Sequence, residues 1–136
     1  LGIDPGTKTL GIAVSNSDLT VASPIFTIQR KKLKSDLNQL LEVLKKYDVT
    51  GIIIGWPLNM DGSIGPRCDS VRDFIKSLLE MIDIPILLQD ERMSTMAVEK
   101  PMIKADLTRK KRNSRTDQLA ACWILQTALD GLPKRM

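Results

Sequence analysis

Leu1-Gly2-Ile3-Asp4-Pro5-Gly6-Thr7-Lys8-Thr9-Leu10-Gly11-Ile12-Ala13-Val14-Ser15 is the stretch whose reading decides the fold. Leu1–Ile3 reads as a first strand with a carboxylate, Asp4, at its end. Gly6 lets the backbone turn tightly into a second strand, Leu10–Ser15. Asn16-Ser17-Asp18 makes the next turn, and Val21–Ile28 is the third strand. Pro24 has no N–H to give a ladder, which places that strand at a sheet edge.

Working outward, Leu37, Leu40, Leu41 and Leu44 have the one-sided spacing of an amphipathic helix over Ser35–Tyr47, with Ser35 or Asp36 as its cap. Ile52-Ile53-Ile54 is apolar on both faces, as a central strand of a doubly covered sheet must be. The loop Pro57–Gly62 follows, then a second helix marked by Val71, Phe74, Ile75, Leu78 and Leu79. Ile84–Gln89 reads as a fifth strand. Beyond Arg92 the pattern is helical but irregular, with Pro101 breaking or kinking it. A basic loop comes next, and Asp117 opens a final helix that runs through Leu119–Leu125 and ends near Gly131. The order β-β-β-α-β-α-β-α-α predicts an α/β fold in one domain, residues 1–136, with a five-stranded mixed sheet and helices on both faces. Strand order 3-2-1-4-5, with strand 3 an antiparallel edge, brings the ends of strands 1, 4 and 5 to one rim.

Composition narrows the chemistry. Histidine is absent, which removes Ser-His-Asp hydrolases, zinc-His enzymes and any histidine base. Cys68 and Cys122 lie too far apart to suggest a disulfide framework or a zinc cluster, and the chain reads as cytoplasmic. No apolar run approaches the ~20 residues of a membrane span. Three residues before Asp4 are fewer than a typical strand, so a few more, the start Met among them, are expected upstream. The net charge is only +4, but Lys104, Arg109, Lys110, Lys111, Arg112 and Arg115 gather with Asp106 the lone acid among them. Such a run suits phosphate-backbone contacts; its bland reading is a solvated loop.

Asp4, Asp90-Glu91 and Asp117 are acidic points in three separate elements that the expected topology brings to one rim. Carboxylates that close repel unless a cation neutralises them. Mg²⁺ or Mn²⁺ accepts such hard oxygen ligands and keeps water for chemistry. Two ions ~3.5–4 Å apart can promote phosphodiester hydrolysis without any histidine. Duller roles exist for each acid: an Asx turn between Asp4 and Gly6, an ion pair of Asp90 or Glu91 with Arg92, a cap on a helix near Ser94, or a helix-dipole role for Asp117. Lys8 and Arg92 divide between ordinary surface roles and phosphate binding. Asn59 and Gly62 divide between shaping their loop and approaching a nucleic-acid strand. Trp56 and Trp123 sit in apolar context and are expected to pack rather than stack on bases.

Asp4-Pro5-Gly6-Thr7-Lys8 with Gly11-Ile12-Ala13-Val14, Gly55-Trp56-Pro57-Leu58-Asn59-Met60-Asp61-Gly62, Asp90-Glu91-Arg92-Met93-Ser94-Thr95, and Asp117 followed by Ala120-Ala121 together resemble the YqgF (RuvX) family over nearly the whole chain. The resemblance implies an RNase H-like fold shared with RuvC-type resolvases. It implies metal acids at Asp4, Glu91 (with Asp90) and Asp117, and basic positions at Lys8 and Arg92. Asn113-Ser114-Arg115-Thr116 departs from the family's usual Lys-Gly-Lys, and Trp56-Pro57 stands where RuvC-type enzymes carry a fourth-strand acid.

The expected function is a Mg²⁺- or Mn²⁺-dependent endonuclease, and the resemblance implies the precursor of 16S ribosomal RNA as its substrate. Resolution of branched DNA at Holliday junctions is the alternative. A non-catalytic nucleic-acid-binding factor is the competing class, and nothing chooses between monomer and homodimer. An Asp-x-Gly-Thr turn also occurs in ATP-binding kinases and chaperones, but those enclose the nucleotide with a second lobe and a second such turn, and these 136 residues offer neither.

Overall fold

The structure is a computed structural model that describes residues 1–59, 61–90 and 109–132, and over 109–117 the backbone alone. The elements are β1 (Gly2–Pro5), β2 (Thr9–Ser15), β3 (Ala22–Gln29), α1 (Leu33–Lys46), β4 (Ile52–Trp56), α2 (Pro66–Leu79), β5 (Ile86–Asp90) and α3 (Arg109–Asp130). The five strands form one sheet in the order β3-β2-β1-β4-β5. β1–β2 and β2–β3 pair antiparallel, whereas β1–β4 and β4–β5 pair parallel. The expected topology is therefore the observed one. The helical pattern after Arg92, with Pro101, lies outside the described residues.

Side-chain alternation divides the sheet into two faces. Ile3, Leu10, Ile12, Ile28, Ile52 and Ile54 point to one face and are fully buried against α1 (Leu37, Leu40, Leu44) and α2 (Val71, Phe74, Leu78). Each fully buried aliphatic side chain contributes about 1.5–3 kcal/mol. Ala13 and Ile53 point to the other face, where they meet Ala121, Leu125 and Leu129 of α3. The last three recur every fourth residue and so form one helical stripe.

The sheet-facing contact of α3 is close because small residues line it. A Cβ at Gly2 would lie 2.7 Å from Leu125 Cβ and 3.0 Å from the Ala121 carbonyl oxygen. A second stripe secures the helix over β3: Gln118 Nε2 donates to Thr27 Oγ1 at 3.1 Å, and Gln126 Oε1 accepts the Ala22 N–H at 2.9 Å. Since 118 meets residue 27 and 126 meets residue 22, α3 runs antiparallel to β3 and hence to β1.

Pro24 is accommodated as expected on the β3 edge, next to a register shift opposite Ile12 and Ala13. Helix α1 departs from expectation. It starts at Leu33 behind an N-cap Lys32 that makes no side-chain cap hydrogen bond. Ser35 Oγ instead donates to the Lys32 carbonyl, and Asp36 is buried, accepting the Lys31 N–H at 3.0 Å with Arg30 Nε at 3.8 Å. Arg30 offers that buried carboxylate a charge partner, so Asp36 ties the β3–α1 connection rather than capping the helix.

The basic segment also differs. Arg109–Arg115 is not a loop but the first turns of α3, and Asp117 stands well inside that helix rather than opening it. Lys and Arg are good helix formers, and like-charge pairs on an exposed helix cost only a few tenths of a kcal/mol. Charge density therefore does not stop the helix.

Gly2→Ala should lower unfolding free energy by about 1–3 kcal/mol, since α3 must lift to admit a methyl group; chemical denaturation would measure it, and an unchanged midpoint would contradict the close contact. Half-burial pushes the Cys122 thiol up to about 11 from its ordinary 9.0. Because the folded chain holds this proton more tightly than the unfolded one, the associated stability is full below about pH 9 and is lost as pH rises toward 11. Cys122→Ala should flatten that part of the stability–pH curve.

Candidate active site

Register across the sheet defines the site. Asp4 pairs with Gly11 on β2, and Gly11 pairs with Thr27 on β3. One residue beyond the Ile3–Ile54 pair, Asp4 comes level with Gly55 on β4, and Gly55 pairs with Gln89 on β5. The row Thr27–Gly11–Asp4–Gly55–Gln89 lies on the α3 side of the sheet, the side to which Gly2 and Ala13 belong. Asp4 is thus a half-buried carboxylate with a glycine on either side. Neither of those two strand neighbours carries a Cβ beside it.

The turn that carries Asp4 is made by backbone. The Gly6 N–H is donated to the Asp4 carbonyl at 3.1 Å and the Thr9 carbonyl at 2.9 Å, not held in the Asx turn considered from sequence. A Cβ at Gly6 would lie 2.6 Å from the Thr9 carbonyl oxygen, so only glycine closes this turn without displacement. Lys8 is exposed in it.

Helix α3 delivers position 117 to the same row. Gln118, next in the chain, bonds Thr27 at the far end of that row. Position 117 is one turn before Ala121, whose carbonyl oxygen touches the space above Gly2, and Asp4 is two residues beyond Gly2 on the same face. Four helical residues and two strand residues both span about 6 Å. The backbone therefore sets position 117 over the Asp4 end of β1. Continuing the helix to Arg109 carries it about 12 Å past position 117. The turns bearing Arg109, Lys110, Lys111, Arg112 and Arg115 therefore extend beyond the rim where β1, β4 and β5 end.

Asp90 is not brought to Asp4 in this way. It pairs with Trp56, in line with Ile54–Leu88 and Ile52–Ile86, on the face covered by α1 and α2. Glu91 and Arg92 lie outside the described residues. Among the described residues, no group of three His, Cys, Asp or Glu side chains is assembled. Asn59 shapes its loop: its N–H reaches the Ser63 carbonyl, its Nδ2 donates to Ser63 Oγ, and its carbonyl accepts from Gly62, at positive φ. Trp56 packs against the apolar core, as expected.

Two arginines that sequence reading passed over hold the turn from the opposite side. Arg30 Nη1 donates to the Gly6 carbonyl at 2.8 Å, and Arg67 Nη2 donates to the Pro5 carbonyl at 2.9 Å. Each stands in an unremarkable sequence context, at the end of β3 and the start of α2, and no local motif marks either. The glycines flanking Asp4 were visible in the sequence, but their role appears only once the register is known.

Among the described residues, no helix is long and apolar enough to cross a membrane. The chain is similar in structure to Thermus thermophilus RuvC bound to a Holliday junction substrate, with a TM-score of 0.55 and 15% identity over 94% of this chain and 91% of that one. It is similar also to the fowlpox virus resolvase in complex with Holliday junction DNA, with a TM-score of 0.54 and 15% identity over 98% of this chain and 97% of that one. Those likenesses establish the RNase H-like fold of the resolvases. In sequence it is 49% identical to a Ruegeria sp. (strain TM1040) protein named "Putative pre-16S rRNA nuclease", over 96% of this chain and 83% of that protein. A Rhodospirillum rubrum protein of the same name is 45% identical over 99% of this chain and 84% of its own length. A family model described as "RuvX: Holliday junction resolvase" matches residues 1–131, and the chain belongs to that RuvX family.

Proposed function

We propose that this protein is a divalent-metal-dependent endonuclease that hydrolyses phosphodiester bonds in structured RNA, with the 5′ end of the 16S ribosomal RNA precursor as its target. The observation that carries the reading is the position of Asp4, flanked by Gly11 and Gly55 and overlooked by the helix bearing Asp117. The names of the sequence relatives favour the RNA substrate. A second reading, cleavage of branched DNA, is favoured by the family description and by the junction-bound structural neighbours.

The donor set fits a hard cation: carboxylate oxygens, no imidazole, and glycines rather than side chains beside Asp4 on the neighbouring strands. Asp4, Glu91 and Asp117 would hold Mg²⁺ or Mn²⁺. Asp90, on the other face, would not share that role. When bound, such ions polarise the scissile phosphate and supply a reactive water. The chain's own part is to fix Asp4 through the Gly6 turn and to set position 117 above it through the Gly2 contact. Its basic first turns of α3, with Lys8 and Arg92, would align the phosphate backbone along the rim.

Asp4→Asn, Glu91→Gln and Asp117→Asn should each lower the single-turnover cleavage rate by about a thousandfold or more, the equivalent of several kcal/mol of lost charge stabilisation. RNA binding measured by fluorescence anisotropy should stay within a few-fold of the parent chain. Asp90→Asn should keep most of the activity. Chelation should abolish cleavage, and Mg²⁺ or Mn²⁺ should restore it. RNA binding with no cleavage under either ion would instead make the chain a non-catalytic binding factor. Comparing a precursor RNA end with a four-way DNA junction under the same conditions separates the two substrates.

A further inference from the structure

We infer that the far side of the Asp4 turn holds a second phosphate of the substrate strand, in a pocket formed by Arg67, Lys31 and Arg30. The pocket is about 340 Å³ and lies on the α1/α2 face of the sheet, opposite the face that carries Asp4. Its floor is Pro5-Gly6-Thr7, and its walls come from the β3–α1 connection and the start of α2. The inference rests on the nuclease reading, because the pocket and Asp4 share one turn.

Three cations line it against one carboxylate, Asp36. That carboxylate is buried and occupied by the Lys31 N–H and by Arg30 Nε. Among the described residues no carboxylate pairs with Arg67 or Lys31. The pocket therefore carries a net positive charge. The arginines are also pre-set. Arg67 Nη2 is fixed on the Pro5 carbonyl, and Arg30 is fixed on the Gly6 carbonyl and lies over the Phe74 ring, 5.7 Å from its centroid. A guanidinium has five N–H donors, so one bond to a carbonyl still leaves most of its fork for an anion. Ser70, one turn into α2, supplies a hydroxyl to the same space.

The ligand this arrangement suits is a phosphodiester of the nucleic-acid backbone rather than a base. Its lining offers donors and charge, and no exposed aromatic ring on which a base could stack. Pro5-Gly6-Thr7 separates it from Asp4 by the thickness of a single turn. A strand crossing the rim would thus present one phosphate to Asp4 and a nearby one to Arg67 and Lys31. Two phosphates held on opposite sides of one rigid turn fix which bond lies at Asp4.

Lys31→Gln and Arg67→Gln test this in the full chain. Anisotropy with an oligonucleotide, metal withheld, should show binding weakened three- to tenfold at 0.1 M salt. The slope of log K against log salt should fall by about 0.7 for each charge removed. A set of oligonucleotides, each with a single neutral methylphosphonate, should reveal one phosphate near the cut whose neutralisation weakens the parent chain but not Arg67→Gln. Melting temperatures report whether the turn survives, and Lys31, which holds no turn carbonyl, keeps the test valid if Arg67→Gln unfolds. An unchanged salt slope in Lys31→Gln, or the same methylphosphonate pattern in parent and Arg67→Gln, would overturn the pocket while parental cleavage still supported the nuclease reading. Absence of parental cleavage would instead remove the nuclease reading itself.

Discussion

The contact between α3 and the sheet at Gly2 is the constraint on which the rest depends. With only hydrogen at residue 2 and a methyl at Ala13, the helix backbone comes down onto β1 and β2 far enough for its carbonyl oxygen at Ala121 to reach the sheet. Helix and strand then advance in opposite directions at fixed rises. Once Ala121 is set over Gly2, position 117 has one place to be, above Asp4. The glutamines at 118 and 126 prevent rotation by pinning the neighbouring stripe to β3.

Alternation along β1 then distributes labour within a few residues. Ile3 is committed to the core under α1 and α2, whereas Gly2 and Asp4 belong to the face beneath α3. Pro5 and Gly6 turn their carbonyls toward the arginines on the opposite side. A single short strand and its turn therefore connect the apolar core, the Asp4 carboxylate on one face and a cationic pocket on the other. The backbone linking them is closed by the Gly6 N–H, which donates to the Asp4 and Thr9 carbonyls.

Much of this was legible in the sequence, for identifiable reasons. Ile52-Ile53-Ile54 announces a strand covered on both sides, and the structure buries it so. Pro24 announces an edge and sits on one. Asp4-Pro5-Gly6 announces a tight turn at a strand end, and the Gly6 N–H closes it on the Asp4 and Thr9 carbonyls. What stayed hidden depends on packing. Asp36 looked like a cap because Ser and Asp favour helix starts, but Arg30 was available to it only in three dimensions. The basic run reads as a loop by its charge, yet Lys and Arg favour a helix, and the run is helical from Arg109. The face occupied by Asp90 could not be known without its register against Trp56. Arg30 and Arg67 are far apart in sequence and meet only at the turn they both grip.

The β3 edge has a consequence for how copies of the molecule meet. Its outer ladder is interrupted where Pro24 has no hydrogen to offer, its register shifts nearby, and the Ala22 N–H is already taken by Gln126. An incoming extended segment finds no continuous row of donors and acceptors there. Strand addition along that border is thus discouraged, which protects a sheet with an open margin from stacking indefinitely into fibres.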